Sequence, residues 1–257
     1  VYATPTGRVE AALGVGDAAA EEAAMARQVQ DPAQVPLVGS LRIDDPEDVV
    51  EWQHASRRQI DAATRTRFQG YVREIFGAMG MDLGQPGTAR TPERFIAALF
   101  DATEGYEGDP KLVTAFPTEC RGGPDCTISQ IVEGPINYHA LCEHHGFPFY
   151  GHAYVGYVAH EHIIGISKLT RAVRLFARRF TVQERIGQQI AELLDNVLHA
   201  HGIAVYIEGT HLCTQMRGVR DLDAVTQTTY WRGVYETEPQ MRLEFAELCR
   251  RRAGVHG

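Results

Sequence analysis

The sequence predicts an α+β protein: an N-terminal helical region, then a core in the order β-β-α-β-β-α. Three observations predict it. Up to about residue 106 the apolar residues recur at helical spacing. From about residue 128 they gather into short runs rich in Ile, Val, Tyr and Phe, broken by Gly or Pro, as strands are. Between the second and third such runs lies one long helical stretch, and no repeat of 20–50 residues interrupts the order.

Taken in order, residues 1–44 form a mobile arm, rich in Ala, Gly, Glu and Gln with little to bury. A helical region covers 45–110. A helix starts at "DDPEDVVEW", with Asp44 or Asp45 as cap and Pro46 in its first turn. A second, "TRTRFQGYVREIFGAMG", sets Phe68, Tyr71, Ile75 and Phe76 on one face and stops at a glycine. A third, "RTPERFIAALFDATEGY", takes Thr91 as cap and Pro92 as first residue. The second, larger domain then spans 111–257. "ISQIVEGPINYHA" and "FPFYGHAYVGYVA" read as strands. "SKLTRAVRLFARRFTVQERIGQQIAELLDNVLHAHG" reads as one long helix or two in sequence, with Ser167 as cap and Gly202 as stop. "IAVYIEGTHLCTQM" and "AVTQTTYWRGVYE" are two more strands, and a helix over roughly 238–251 closes the chain.

Composition narrows the function. The 257 residues carry a net charge of −8, which argues against a general nucleic-acid coat. No run approaches the length of a membrane-spanning helix, and no basic-then-apolar leader opens the sequence, so a cytoplasmic protein is expected. Five cysteines in a chain this long are not a disulfide framework; in a reducing compartment they are buried, metal-bound or catalytic.

Two segments concentrate chemistry. "LCEHHGFPFYGH" places Cys142, His144 and His145 in a strand-to-strand connection. "THLC" offers His211 and Cys213, which project to the same side if the strand continues through them. Two distant cysteines and one imidazole from 144 or 145 make a Cys2His set, and three protein ligands leave a fourth position for water, as in catalytic zinc sites. Spacing alone leaves the choice of histidine open, and a closed structural site using both fits it too. On the following helix Lys168, Arg171, Arg174 and Arg178 share one face, and Arg179 and Arg185 extend the cluster. Glu184 is the one acid between 167 and 185. Such a face repels itself unless something anionic lies across it, and the free N–H groups at the helix start near Ser167 favour phosphate.

In sequence, "TPERF", "LCEHHGFPFYG", "GISKLTR", "TVQERIGQQI", "THLCTQMRGVR" and "TYWRGVYE" resemble the GTP cyclohydrolase I family, over about residues 88–248. The resemblance implies the tunnelling fold, an antiparallel β-β-α-β-β core with helices on one side, whose subunits join edge to edge into a barrel, with barrels pairing into a homodecamer and active sites between subunits. It implies attack of zinc-activated water on C8 of GTP, loss of C8 as formate, and closure to 7,8-dihydroneopterin triphosphate, with no organic cofactor. It selects Cys142, His145 and Cys213 as ligands of Zn2+. His144 then resembles a proton-transfer residue near the purine, His211 the general acid–base, and Ser167 a group acting at the ribose ring oxygen. Gln183 and Glu184 resemble the guanine-binding pair, and Lys168, Arg171, Arg185 and Arg217 the triphosphate clamp, with Arg179 an addition. GTP as substrate, a homo-oligomer, and neither nucleic acid nor membrane are the implied partners. Two other readings remain at this point: a cyclohydrolase that stops at the formamidopyrimidine triphosphate, and a non-catalytic zinc-containing nucleotide-binding protein. Cys120 and Cys126 are read as incidental loop thiols, with a redox pair or a second metal site as the alternatives.

Overall fold

The computed structural model describes residues 58–118 and 130–253. The arm over 1–44, the helix expected from Asp44 or Asp45, and Cys120 and Cys126 lie outside the described residues.

Helix α1, Ala62–Ala78, begins where the Asp61 carboxylate accepts a hydrogen bond from the Thr64 N–H at 2.6 Å. Its expected apolar face is only partly used. Phe76 meets Phe95 edge-on at 5.1 Å, but Tyr71 and Ile75 stay 54% and 51% exposed. Helix α2, Thr91–Ala102, starts at its expected cap, one residue before its expected first residue. Thr91 is already helical, Arg90 precedes it with no side-chain cap, and Pro92 sits in the first turn, where its missing N–H costs nothing.

After two 3-10 turns, Glu104–Glu107 and Pro110–Val113, strand β1, Ala115–Pro117, pairs with β4, His162–Ile164. The main sheet has five strands in the order β5-β2-β3-β6-β7. These are β2, Gln130–Cys142; β3, Pro148–Val158; β5, Phe180–Thr181; β6, Gly202–His211; and β7, Thr226–Gly233. Neighbours are antiparallel except β5, which runs parallel to β2. The Gly-Pro break expected in the first strand appears as a register shift between Glu133 and Ile136.

Alternation along the strands makes two cores. Ala153, Val155 and Tyr157 of β3 and Ile203, Val205 and Ile207 of β6 face helices α3, Ile166–Ala177, and α4, Gln183–Leu198. Leu169, Val173, Ile186, Ile190, Leu193 and Leu194 fill that layer with no exposed surface. The intervening residues Tyr154, Val158 and Ala204 pack against Tyr235, Phe245 and Cys249. Tyr235 lies in the turn α6, Val234–Thr237, and the other two in the C-terminal helix α7, Pro239–Ala253. The expectation of helices on one side therefore holds for α3 and α4 and is corrected for α7, which covers the other face. Gly156 makes that possible: a Cβ there would come within 2.8 Å of the Phe245 ring.

The long helical stretch is two helices. Phe180, Thr181 and Val182 are β-branched or aromatic and disfavour helix. Two of them form β5, and the Arg179 and Thr181 carbonyls accept from the Leu141 and Glu143 N–H groups at 3.1 and 3.2 Å. Ser167 falls inside the first turn of α3, whose cap is Gly165. Helix α4 ends at Leu198 with His199 left-handed, and Gly202 opens β6 rather than stopping the helix.

Candidate active site

The hairpin turn between β2 and β3 is wound tightly around one carbonyl. The Cys142 oxygen accepts from the His145 N–H at 3.3 Å and the Gly146 N–H at 2.8 Å, and the Cys142 N–H donates to Phe147 at 2.8 Å. Gly146 sits at φ 70°, the left-handed region that favours glycine. This winding turns both imidazoles back over the cysteine: their Nδ1 atoms lie 3.9 Å (His144) and 3.7 Å (His145) from Cys142 Sγ.

Cys213 arrives from elsewhere than expected. Strand β6 ends at His211, and Cys213 belongs to a one-turn helix α5, Leu212–Gln215, so strand spacing does not align the two. The Thr214 hydroxyl, donating to the His211 carbonyl at 2.8 Å, turns the chain there. The result is convergence: one ligand atom each from Cys142, His145 and Cys213 lie within 4.8 Å of one another. Both cysteines are buried and His145 is exposed. Burial, and then the neighbouring Cys142, push the Cys213 thiol above the usual range. Two thiolates this close are costly unless a dication lies between them, so the donor set fits a metal of zinc's character.

His211 is fixed on two sides. Its ring stacks on Phe149 at 4.5 Å with 5° between planes, as the pairing of Phe149 with His211 across β3 and β6 dictates. Its Nε2 lies 3.0 Å from Gln183 Oε1. The Gln183 amide nitrogen donates to the carbonyls of Ile207 (3.1 Å) and Thr226 (3.0 Å) and to Thr228 Oγ1 (3.2 Å). Those acceptors fix the amide's orientation, so His211 carries its proton on Nε2 and keeps a lone pair on Nδ1. Burial lowers the His211 pKa, opposed by the charge of Glu184.

Two residues expected at the substrate are buried in this chain. Gln183 is 1% exposed, with its amide bonded to His211 and the sheet. Arg179 is 6% exposed, and its guanidinium donates to the carbonyls of Gly105 (2.8 and 3.1 Å) and Leu175 (2.9 Å) and lies over the Tyr106 and Phe176 rings. It binds helix α3 to the 3-10 turn. Glu184 by contrast is exposed, and Arg185 forks onto Glu143, donating through Nη2 at 3.1 Å and also through Nη1.

The basic face of α3 meets its anions within the chain. A cleft of about 490 Å3 between α3 and residues 104–109 is lined by Ser167, Arg171, Arg174 and Arg178 opposite Glu104 and Asp109. Arg171 pairs with Asp109 at 2.9 Å, Arg178 with Glu104, and the Lys168 ammonium donates to the Thr114 carbonyl. Ser167 and Lys168 stand at the start of α3, while its other end abuts Leu141. At 1.5 Å per residue that is ~15 Å along the axis from the cysteines. One chain thus gathers Cys142, His144, His145, Gln183, Glu184, Arg185, His211 and Cys213, and holds Ser167, Lys168 and Arg171 apart from them.

A family model described as GTP cyclohydrolase I matches residues 68–250. The chain belongs to the GTP cyclohydrolase I family. It is 39% identical to GTP cyclohydrolase 1 of Chlorobium chlorochromatii over 74% of this chain and 84% of that one. It is also 39% identical to that of Deinococcus radiodurans (68% and 79%) and 36% identical to that of Porphyromonas gingivalis (73% and 94%). For a GTP cyclohydrolase I family chain, the residues that the motifs did not single out are Phe149, Asp109 and Glu104. Phe149 was legible as the strand residue beside the cluster. The acids were not, because they act across 62 and 74 residues of sequence.

Proposed function

We propose that the chain is a zinc-dependent GTP cyclohydrolase I, hydrolysing GTP at C8 to release formate and form 7,8-dihydroneopterin triphosphate. The observation that carries this reading is the gathering of Cys142, His145 and Cys213 beside a histidine of fixed tautomer. Those three residues would hold the zinc. Bound there, zinc supplies Lewis acidity and lowers the pKa of a water toward ~7.

The chain's own residues do the rest. His211 accepts protons at Nδ1 and holds one at Nε2 through Gln183, so Gln183 orients the acid–base instead of reading the base. His144, on the same turn as the metal ligands, moves a proton near the purine. Glu184 accepts from the guanine N1–H and 2-amino group, a donor pair that adenine lacks. Lys168, Arg171, Arg185 and Arg217 clamp the triphosphate, with Arg174 beside them on the face of α3, and Ser167 acts at the ribose ring oxygen. The ~15 Å between Ser167 and the cysteines supports sites shared between chains. The outer edge of β7 supports edge-to-edge assembly into the barrels of a tunnelling-fold homodecamer. No helix among the described residues is long and apolar enough to cross a membrane, and the enzyme works in the cytoplasm.

Purified protein incubated with GTP is expected to release formate and, after oxidation, a fluorescent pterin in equal amounts, with both lost to a chelator and restored by zinc. Formate without fluorescence, or neither product, contradicts the assignment.

A further inference from the structure

The end of the sheet remote from the cysteines holds a second concentration of imidazoles. His160 and His162 come from the link between β3 and β4, as His-Glu-His, and His199 and His201 from the link between α4 and β6, as His-Ala-His. The two links run side by side because β3 and β6 stay paired as far as Val158 and Gly202, and the His201 N–H donates to Val158 at 2.9 Å. The rings meet in two pairs. His160 and His201 have centroids 4.2 Å apart with 32° between planes, and His162 and His199 are 6.2 Å apart at 56°.

Both backbones are pinned. Thr118 donates from its N–H to the Glu161 carbonyl at 2.8 Å and from its hydroxyl to the His160 carbonyl. Val234 donates to the His201 carbonyl at 2.9 Å. Gly233, at φ 60°, lets that chain pass, since a Cβ there would stand 2.1 Å from the His201 oxygen. The His162 Nδ1 is buried with no hydrogen-bond partner among the described residues.

We propose that His160, His162, His199 and His201 form a second metal site, for a divalent transition ion of the nickel, copper and zinc group. Imidazole suits these ions, and a set with no thiolate separates it chemically from the cysteine centre. Burial and the neighbouring His160 hold His201 below the ordinary histidine range. No three of these nitrogens yet lie within 4.8 Å of one another, as those of the cysteine set do. Closing the set takes rotations about χ1 and χ2 on the pinned backbones. Nine residues of β3 separate Phe149, beside the catalytic histidine, from Val158, which at ~3.4 Å per residue puts the second site roughly 30 Å away. An ion there ties the β3–β4 link to the α4–β6 link and takes no part in the reaction.

The test uses the full chain carrying one equivalent of zinc, titrated with Ni2+ by calorimetry. A second equivalent is expected, with a rise in Tm that grows with free metal. A His160→Asn, His201→Asn variant is expected to lose it while keeping its cysteine-bound zinc and its turnover. Where that variant does not fold, the exposed His199→Asn serves, with an expected weakening of at least ~10-fold, about 1.4 kcal/mol. With Co2+, the second equivalent should lack thiolate-to-cobalt charge-transfer absorption. A single equivalent in the unmodified protein, an unchanged second equivalent in the variants, or thiolate absorption from it overturns the proposal.

Discussion

At the scale of single residues, the proposed acid–base depends on how one imidazole is held. Gln183 and Phe149 fix the ring of His211, burial keeps it neutral, and Glu184 pulls in the other direction. Because the folded pKa is depressed, the unfolded chain takes up the proton first as acid is added. The stability due to neutral His211 is complete above the unfolded value of about 6.5 and is lost as pH falls through the lower folded value. Glu184→Gln removes the influence that raises this pKa. The acid limb of kcat/KM against pH should therefore move to lower pH, while KM for GTP rises. A limb that stays in place contradicts the coupling. The sequence made His211 and Glu184 legible through their motifs. It hid the role of Gln183, because a polar residue at a helix start reads as exposed until the sheet behind it is known.

Among elements, the interplay of α3 with the segment before β1 controls the basic face. Asp109 occupies Arg171, which is proposed to meet the triphosphate, and Glu104 occupies Arg178 on the same face. Asp109→Asn should free Arg171 and lower KM for GTP by a few-fold, since a half-exposed pair is worth up to ~1 kcal/mol. The effect should shrink as salt is added, and steady-state kinetics at two ionic strengths check it; an unchanged or raised KM contradicts the competition. The strands were legible because alternation and Gly-Pro punctuation are local signals. Two elements were not. Strand β5 is two residues long and exists only because β2 offers it a partner. The turn that carries Cys213 departs from strand geometry through the bond between Thr214 and the His211 carbonyl, which no pattern encodes.

For the whole molecule, one chain gathers the metal donors and His211 while holding Ser167 and Lys168 a helix length away. If sites form between chains, two separately inactive variants, Ser167→Ala and His211→Ala, should regain part of the turnover when refolded together. No recovery from verified mixed oligomers contradicts shared sites. The order of motifs made the family legible in the sequence, whereas the second-face packing of α7 required knowing that Gly156 leaves room for Phe245. The central claim is that Cys142, His145 and Cys213 bind one zinc and leave a coordination position open. X-ray absorption at the zinc edge, on assembled protein with one equivalent of zinc per chain, reads this directly. Two sulfur neighbours, one imidazole nitrogen and one further light atom from solvent are expected; four protein ligands, or a shell without sulfur, would contradict it.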